Sequence, residues 1–299
     1  MKKALGIFAL VLAGVYIIFS SLGQKSEYSA ERSLWQTNQK FHYVTESPNT
    51  TPERTFQEII QQYENFIKEF PQSKLVPTAE VFLGRVYLVR GEHVKAREQW
   101  ERVVQSYAQN PDICVQAVSD IGRSYAKEQD WDNVFKTYQR ILHDYPLTEP
   151  GLETPLLIAQ LYVNQKNIGK AQNAFQEAID YYKSLSQKYP QSAVEYAALQ
   201  LLANCYMAQD KFEEGVKTLG EILLKYPQPQ YLTTQRAESL LKSINTISRD
   251  ELKDFDSAIA IYSEFMQKYP QHPLSKFLAG IIQELKELKA KGNSAPPKK

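Results

Sequence analysis

Two series of aromatic residues recur along the chain at almost the same spacing, and this periodicity limits the fold more than any other feature. The first series consists of aromatic–proline pairs, one of which lacks its proline, and its members lie 37 to 44 residues apart. The second series consists of tyrosines that lie 38, 37 and 44 residues apart. Two series with one common spacing indicate an array of similar structural repeats. The first is Phe70–Pro71, Tyr107, Tyr145–Pro146, Tyr189–Pro190, Tyr226–Pro227 and Tyr269–Pro270; the second is Tyr87, Tyr125, Tyr162 and Tyr206.

Within each repeat, the order of small and large residues predicts two helices that pack against each other. In the first helix a small residue precedes the tyrosine by three places. In the second helix a slim residue follows that tyrosine by nine places, with a large residue four places further on. Offsets of three and four share a helical face, and small residues let two helices approach closely. The residues predicted to form this repeat core include Gly84, Tyr87, Ala96, Trp100, Gly122, Tyr125, Tyr138, Tyr162, Ala171 and Tyr206.

Residues typical of helix ends support the same division. Proline after the aromatic residue ends each second helix, because it cannot donate to the backbone ladder. Ser192-x-x-Glu195 and Asp210-x-x-Glu213 are predicted capping boxes. Thr51 and Thr154 each precede a proline, which predicts an N-cap followed by proline at the first helical position. No alternating strand pattern occurs in the sequence, so we predict an all-α fold of antiparallel helix pairs.

These motifs resemble the tetratricopeptide repeat. Leu83-Gly84-x-x-Tyr87 followed by Ala96-x-x-x-Trp100 carries the resemblance in the first repeat, and it extends over roughly residues 52–290. The resemblance implies a right-handed α-solenoid of about five helix pairs plus capping helices. It also implies a general protein-interaction scaffold whose first helices line a concave groove.

Two repeats depart from the pattern. In the third repeat, seven residues separate Tyr182 from Tyr189, which predicts a second helix about two turns longer than its neighbours. The fifth repeat, 235–270, has Arg249 at the position of the tyrosine, so the length of its first helix is open. Beyond it, Phe277, Ile281, Leu285 and Leu288 share one face of a predicted closing helix.

The N-terminal residues 1–23 have the pattern of a targeting segment. Lys2 and Lys3 precede an apolar run from Ala4 to Phe19, which is long for a signal-peptide core and short for a spanning helix. The segment is therefore predicted to be either a cleaved signal peptide or a membrane anchor. Because lysines stay in the cytoplasm, the rest of the chain is predicted to be exported.

This export signal, together with Tyr-Pro-x-Ser at Tyr189, resembles bacterial envelope and periplasmic members of the family. No cysteine lies near the segment, which speaks against a lipoprotein. The predicted domains are 1–23, the targeting segment; 24–51, a non-repeat helix and loop; 52–291, the repeats; and 292–299, a disordered basic tail.

Composition and residue placement argue against catalysis. A formal net charge of +1 argues against nucleic acid as a partner. His42, His93, His143 and His272 lie in different parts of the array and predict no metal site. Cys114 and Cys205 lie two repeats apart and are predicted to be buried free thiols, and no phosphate-binding glycine loop occurs. We therefore predict a protein that is not an enzyme and that has no cofactor.

The resemblance assigns the groove to side chains two places before and two places after the repeating tyrosine. The polar residues at these positions are Arg85, Arg123, Lys127, Gln160, Asn164 and Asn204. They form the predicted site for partner protein segments.

Neither Arg85 nor Arg123 has an acidic residue four places earlier, although Asp120 lies three places before Arg123. Unpaired arginines predict an acidic or carboxylate-bearing partner. The alternative function is a structural or assembly factor that oligomerises through its convex face or through its N-terminal helix around Trp35.

Overall fold

Helices make up nearly all of the chain from Glu27 to Asn293, the part that the computed structural model describes. The predicted targeting segment 1–23 and residues 294–299 of the predicted tail lie outside the described residues. Thirteen α-helices and no strand occur between residues 27 and 293, which confirms the all-α prediction. None of these helices combines the length and apolar character that crossing a membrane requires.

The helices belong to two compact bodies, an N-terminal body up to Gly151 and a C-terminal body from Leu152. Helix α7 contains this boundary. In chain order the helices are α1 (Glu27–Glu46), α2 (Glu53–Glu69), α3 (Val76–Val89), α4 (His93–Ser106), α5 (Pro111–Lys127), α6 (Trp131–Asp144), α7 (Glu149–Asn164), α8 (Ile168–Lys188), α9 (Ala193–Met207), α10 (Phe212–Lys225), α11 (Thr234–Thr246), α12 (Asp256–Lys268) and α13 (Pro273–Asn293). The last helix ends two residues inside the predicted tail.

Within each body, a helix packs mainly against its neighbours in the chain. In the N-terminal body, α1 to α6 contact one another in succession, and α3 also contacts α1 and α5. Loops of three or four residues join α3 to α4, α4 to α5 and α5 to α6. Because such short loops connect helices in contact, successive helices run antiparallel. The predicted helix pairs are confirmed.

The first repeat shows why its first helix needs glycine. Trp100 on α4 is completely buried, and its Nε1 donates a hydrogen bond to the carbonyl oxygen of Val81 on α3 at 3.0 Å. A Cβ atom on Gly84 would lie within 2.8 Å of three atoms of this ring. At the same position of the second repeat, a Cβ on Gly122 would lie 3.3 Å from the side chains of Thr137 and Tyr138. The predicted pairing of small and large residues is tighter in the first repeat than in the second.

The most deeply buried aromatic side chains lie on second helices. Besides Trp100, they include Tyr63, Tyr182 and Tyr262, each with no exposed surface. Their hydroxyl groups reach the preceding helix: Tyr63 donates to Asn38 Oδ1 and Tyr262 to Asn245 Oδ1, each at 2.7 Å. Of the repeating tyrosines, Tyr206 is buried, whereas Tyr87, Tyr125 and Tyr162 are half-buried at the edge of the core.

In every turn within a helix pair of the five repeats, a residue with left-handed backbone angles lies four positions after the repeating tyrosine or, in the fifth repeat, after Arg249. Only the first of these residues is a glycine, Gly91 with φ of 90°. In the first four repeats, the next residue donates its N–H to the carbonyl of the repeating tyrosine at 2.8–3.0 Å. This is the hydrogen bond of a Schellman motif, which ends the first helix. The other left-handed residues are Gln129, Lys166, Asp210 and Lys253, with φ between 53° and 59°.

The predicted capping boxes have opposite outcomes. Ser192 accepts a hydrogen bond from the N–H of Glu195 at 3.2 Å, so this N-cap is confirmed. The prediction for Asp210 is wrong, because Asp210 occupies the left-handed position of a turn. Helix α10 begins after Lys211, whose side chain caps nothing.

The two predicted threonine caps are also wrong. Helix α7 begins at Glu149, so Thr154 and Pro155 lie inside it. At its start, the hydroxyl of Thr148 accepts from the N–H of Gly151 at 3.2 Å. Thr51 instead donates its hydroxyl to the carbonyl of Ser47 at 2.9 Å, because a short 3₁₀ turn, Pro48–Thr50, precedes α2.

The third repeat has the longer second helix that the spacing predicts. Helix α8 has 21 residues, whereas α4 and α6 have 14 each. The added turns carry Tyr182, whose hydroxyl donates to the carbonyl of Leu152 at 2.7 Å and accepts from the N–H of Leu156 at 3.3 Å. These two backbone groups face each other across one turn of α7, beside Pro155, which has no N–H. The hydroxyl therefore supports α7 where proline interrupts its ladder.

The first helix of the fifth repeat is short and ends irregularly. Helix α11 has 13 residues and continues into a π-helical turn, Ile247–Glu251. Arg249 lies in this turn and pairs with Asp250 at 2.7 Å, and Lys253 provides the left-handed residue four positions later. The turn thus keeps the register of the other repeats although the tyrosine is missing.

Candidate protein-binding groove

One buried carboxylate joins the two predicted groove arginines of the N-terminal body. Asp120 on α5 accepts from Nε of Arg85 on α3 at 2.6 Å through Oδ2, and from Nη1 of Arg123 at 2.7 Å through Oδ1. The expectation that Arg85 is unpaired is therefore wrong. Its partner lies in the next repeat, because α3 and α5 pack side by side.

The three side chains differ in their contact with solvent. The side chain of Asp120 is 4% exposed, that of Arg85 27% and that of Arg123 66%. The Arg85 guanidinium also lies 4.9 Å from the centre of the Phe82 ring, which restricts its orientation further. The carboxylate is thus used internally, while the guanidinium of Arg123 remains largely open to a ligand.

Lys127 extends this patch by one helical turn. It follows Arg123 by four residues on α5 and is exposed. Arg85, Arg123 and Lys127 supply three positive charges against the single negative charge of Asp120. We call these four residues the α3–α5 basic cluster. The formal charges of these four side chains sum to +2.

The predicted groove residues of the C-terminal body are uncharged. Gln160 and Asn164 on α7 and Asn204 on α9 are exposed. Within residues 152–290 the structure records no contact that brings the three side chains together. Their exposure is compatible with ligand contact, and a binding function for them stays a prediction.

A cavity of about 400 Å³ lies between α11 and α13, and no repeat motif predicts it. Phe277 lines this site and is 58% exposed, although its stripe predicted a core position. Lys242 and Arg249 place positive charge beside it. The lining residues are Glu238, Leu241, Lys242, Asn245, Thr246, Arg249, Phe277 and Ile281. The departure of Arg249 from the tyrosine pattern is the only sequence signal that points to this site.

A second buried carboxylate has a structural function. Glu195 is 2% exposed and accepts hydrogen bonds from Nζ of Lys225 at 2.8 Å, the Tyr226 hydroxyl at 2.6 Å and the N–H of Gln191 at 2.6 Å. Burial alone would raise the pKa of Glu195, but these hydrogen bonds hold it below its ordinary value. All its partners are structural groups, so the cluster fixes the start of α9.

Between residues 27 and 293, the two cysteines are buried thiols. Cys114 and Cys205 are free and buried, and burial raises both thiol pKa values, that of Cys205 to about 12. Such thiols stay protonated and are poor nucleophiles. No group of three metal-ligating side chains occurs in the described part of the chain.

Comparison with protein families identifies the repeat. One tetratricopeptide repeat model matches residues 170–238, and another matches residues 117–148 and 246–272. The chain is a tetratricopeptide-repeat protein. None of the curated proteins matches it significantly. Tetratricopeptide repeats are, in general, protein–protein interaction scaffolds.

Three solved structures resemble this tetratricopeptide-repeat protein at low sequence identity. A thermophilic tetratricopeptide-repeat protein of Thermus thermophilus has 15% identity over 70% of this chain and 98% of its own, with a TM-score of 0.38. A tetratricopeptide-repeat protein of Parabacteroides merdae has 13% identity over 87% and 99%, with a TM-score of 0.35. The TPR2AB-domain:pHSP90 complex of yeast Sti1 has 13% identity over 90% and 100%, with a TM-score of 0.34.

Proposed function

We propose that this protein is a non-catalytic scaffold of the bacterial cell envelope that holds acidic segments of partner proteins against the α3–α5 basic cluster. The observation that carries the proposal is the arrangement of Arg85 and Arg123 around Asp120. A carboxylate that is 4% exposed fixes two arginines of adjacent first helices, one of which is 66% exposed.

Pre-positioning makes this cluster suited to recognition. An arginine that binds a carboxylate loses side-chain freedom, and a hydrogen bond already made to Asp120 reduces that loss. Among the described residues the guanidinium of Arg123 is bonded through Nη1, so its other N–H groups can donate to a peptide carboxylate. Lys127 adds a positive charge about 6 Å further along the helix. Arg123 and Lys127 could therefore each bind one of two carboxylates on the same ligand.

The location in the envelope is supported by the sequence of residues 1–23. Two lysines followed by an apolar run are typical of segments that direct a chain into or across the inner membrane. The groove would then lie on the periplasmic side.

The test is a charge-removing double variant with a matched control. Arg123→Gln with Lys127→Gln removes two exposed charges from the cluster. The control, Lys68→Gln with Lys136→Gln, removes two exposed lysines from helices α2 and α6, which contribute no residue to the cluster. The ligand is a fluorescent peptide rich in glutamate, and a glutamine version of the same peptide provides the baseline.

We expect the cluster variant to bind the glutamate peptide about tenfold more weakly, equivalent to about 1.4 kcal/mol. We expect the control variant to bind like the unmodified protein, and the difference to shrink at high salt. Equal affinities for the two variants would contradict the proposal.

A further inference from the structure

Helix α1 exposes three large aromatic side chains on one face. Tyr28 is 73% exposed, Trp35 61% and Tyr43 76%. The opposite face of α1 is buried against α2 and α3. The buried residues of the helix are Ala30, Leu34, Thr37, Phe41 and Val44. The exposed aromatic residues therefore contribute nothing to the core of the N-terminal body.

The three side chains form a continuous stripe. Trp35 follows Tyr28 by seven residues and Tyr43 follows Trp35 by eight, which are both close to two helical turns. Along the helix axis, the stripe from Tyr28 to Tyr43 is about 22 Å long. We call it the α1 aromatic stripe.

The position of α1 in the chain indicates what covers the stripe. The apolar run that begins at Ala4 reaches spanning length when it includes Ser20 to Gly23. Only Gln24, Lys25 and Ser26 separate Gly23 from the start of α1 at Glu27. A linker of this length reaches at most about 14 Å, so an anchor at residues 4–23 would keep Tyr28 close to the bilayer surface.

The chemistry of the stripe fits that location. Tyrosine and tryptophan combine an apolar ring with a polar group, and both are enriched where the hydrocarbon meets the headgroups. The exposed charges of α1 are of both signs and nearly cancel, since its glutamates are opposed by Arg32 and Lys40. Attraction by the aromatic rings, rather than by anionic lipid, would therefore hold the helix.

We propose that α1 lies along the membrane interface, with Tyr28, Trp35 and Tyr43 at the level of the lipid headgroups beside an uncleaved anchor formed by residues 4–23. The inference rests on the envelope location in the proposed function and not on the groove. It gives the scaffold a fixed attachment through the first helix of its N-terminal body.

The experiment uses the full chain in vesicles of phosphatidylcholine that carries bromine atoms near the headgroup end of its acyl chains. Bromine quenches tryptophan fluorescence at short range. Of the three tryptophans, Trp100 is fully buried and Trp131 lies on α6. Trp35→Phe removes the fluorophore from the stripe, and Trp131→Phe is the matched control.

We expect brominated lipid to quench part of the emission of the unmodified protein and of Trp131→Phe. In Trp35→Phe the quenched part of the emission should fall by at least half. The quenching of the unmodified protein should be the same at about 50 and 500 mM salt. The double change Tyr28→Ser, Tyr43→Ser should reduce the quenching of Trp35 while the protein stays in the vesicles. Circular dichroism confirms that each variant is folded.

Equal quenching in the unmodified protein and Trp35→Phe would overturn the proposal. So would a mature protein that lacks residues 1–23 by N-terminal sequencing. Concentration-dependent cross-linking through position 35 without lipid quenching would also overturn it, because the stripe would then contact a second copy of the chain. The variant Arg123→Gln, Lys127→Gln should leave lipid quenching unchanged, so failure of the groove proposal and failure of this one are distinguishable.

Discussion

Gly84 and Gly122 occupy the same position of consecutive repeats, and their replacement by alanine should have different effects. Alanine favours a helix interior over glycine by about 1 kcal/mol, so each change starts with that gain. At position 84 the new Cβ would lie within 2.8 Å of three Trp100 ring atoms, which nothing can accommodate without moving a fully buried ring. At position 122 the nearest atoms are 3.3 Å away and need to move only a few tenths of an ångström.

The expected magnitudes follow from these distances. Overpacking a core costs about 1–3 kcal/mol, and loss of the hydrogen bond from Trp100 to Val81 adds about 1 kcal/mol. After the gain in helix propensity, Gly84→Ala should destabilise the N-terminal body by about 1–3 kcal/mol. Gly122→Ala should lie between no change and a stabilisation of about 1 kcal/mol.

The assay is urea unfolding of the full chain, followed by far-ultraviolet circular dichroism and by tryptophan fluorescence. Both positions belong to the N-terminal body, so the same transition reports both variants. If Gly84→Ala were as stable as Gly122→Ala, then Trp100 would not pack closely against α3, and the small-to-large pairing would not explain the repeat.

Three further predictions concern the C-terminal body. Tyr182→Phe removes the hydroxyl that bridges Leu152 and Leu156, so thermal melts should show that the free energy of unfolding falls by about 1–3 kcal/mol. Tyr206→Phe, the control, should change the free energy of unfolding little. Lys166→Gly removes the strain of a left-handed backbone at a residue with a Cβ, so urea unfolding should show that the free energy of unfolding rises by about 0.5–1 kcal/mol. Gln172→Gly inside α8, the control, should lower the free energy of unfolding by about 1 kcal/mol. The folded-state pKa of Glu195 is lowered, so its contribution to stability is present above the ordinary carboxyl pKa and is lost as the pH falls through the folded-state value. Melts of Glu195→Gln and the unmodified protein should therefore differ at pH 7 and converge in acid.

The sequence predicted the helix pairs well because their signals are local. Gly84 and Trp100 are 16 residues apart, within one repeat, and the spacing alone identifies them as neighbours. The prediction for Asp210 fails because an aspartate in a turn resembles an N-cap, and only the backbone angle distinguishes the two positions. Local composition cannot show that one residue ends a helix while the next begins another.

The candidate site was harder to predict because its contacts join different repeats. The pairing of Arg85 with Asp120 crosses 35 residues and depends on α3 and α5 lying side by side. The apolar stripe of α13 correctly predicts a helix, but not that Phe277 stays exposed beside α11. Repeat motifs specify which residues pack within a pair, whereas the contacts of the candidate site arise between pairs.

The packing of each helix against its near neighbours has a consequence for how the chain folds during synthesis. Tyr63 reaches back 25 residues to Asn38, Tyr182 30 residues to Leu152, and Arg85 forward 35 residues to Asp120. Contacts this close in sequence close small loops, which favours rapid folding. A nascent chain could therefore complete one helix pair while the next is still being translated. In the proposed envelope location, export would have to compete with that progressive folding from the first repeats onward.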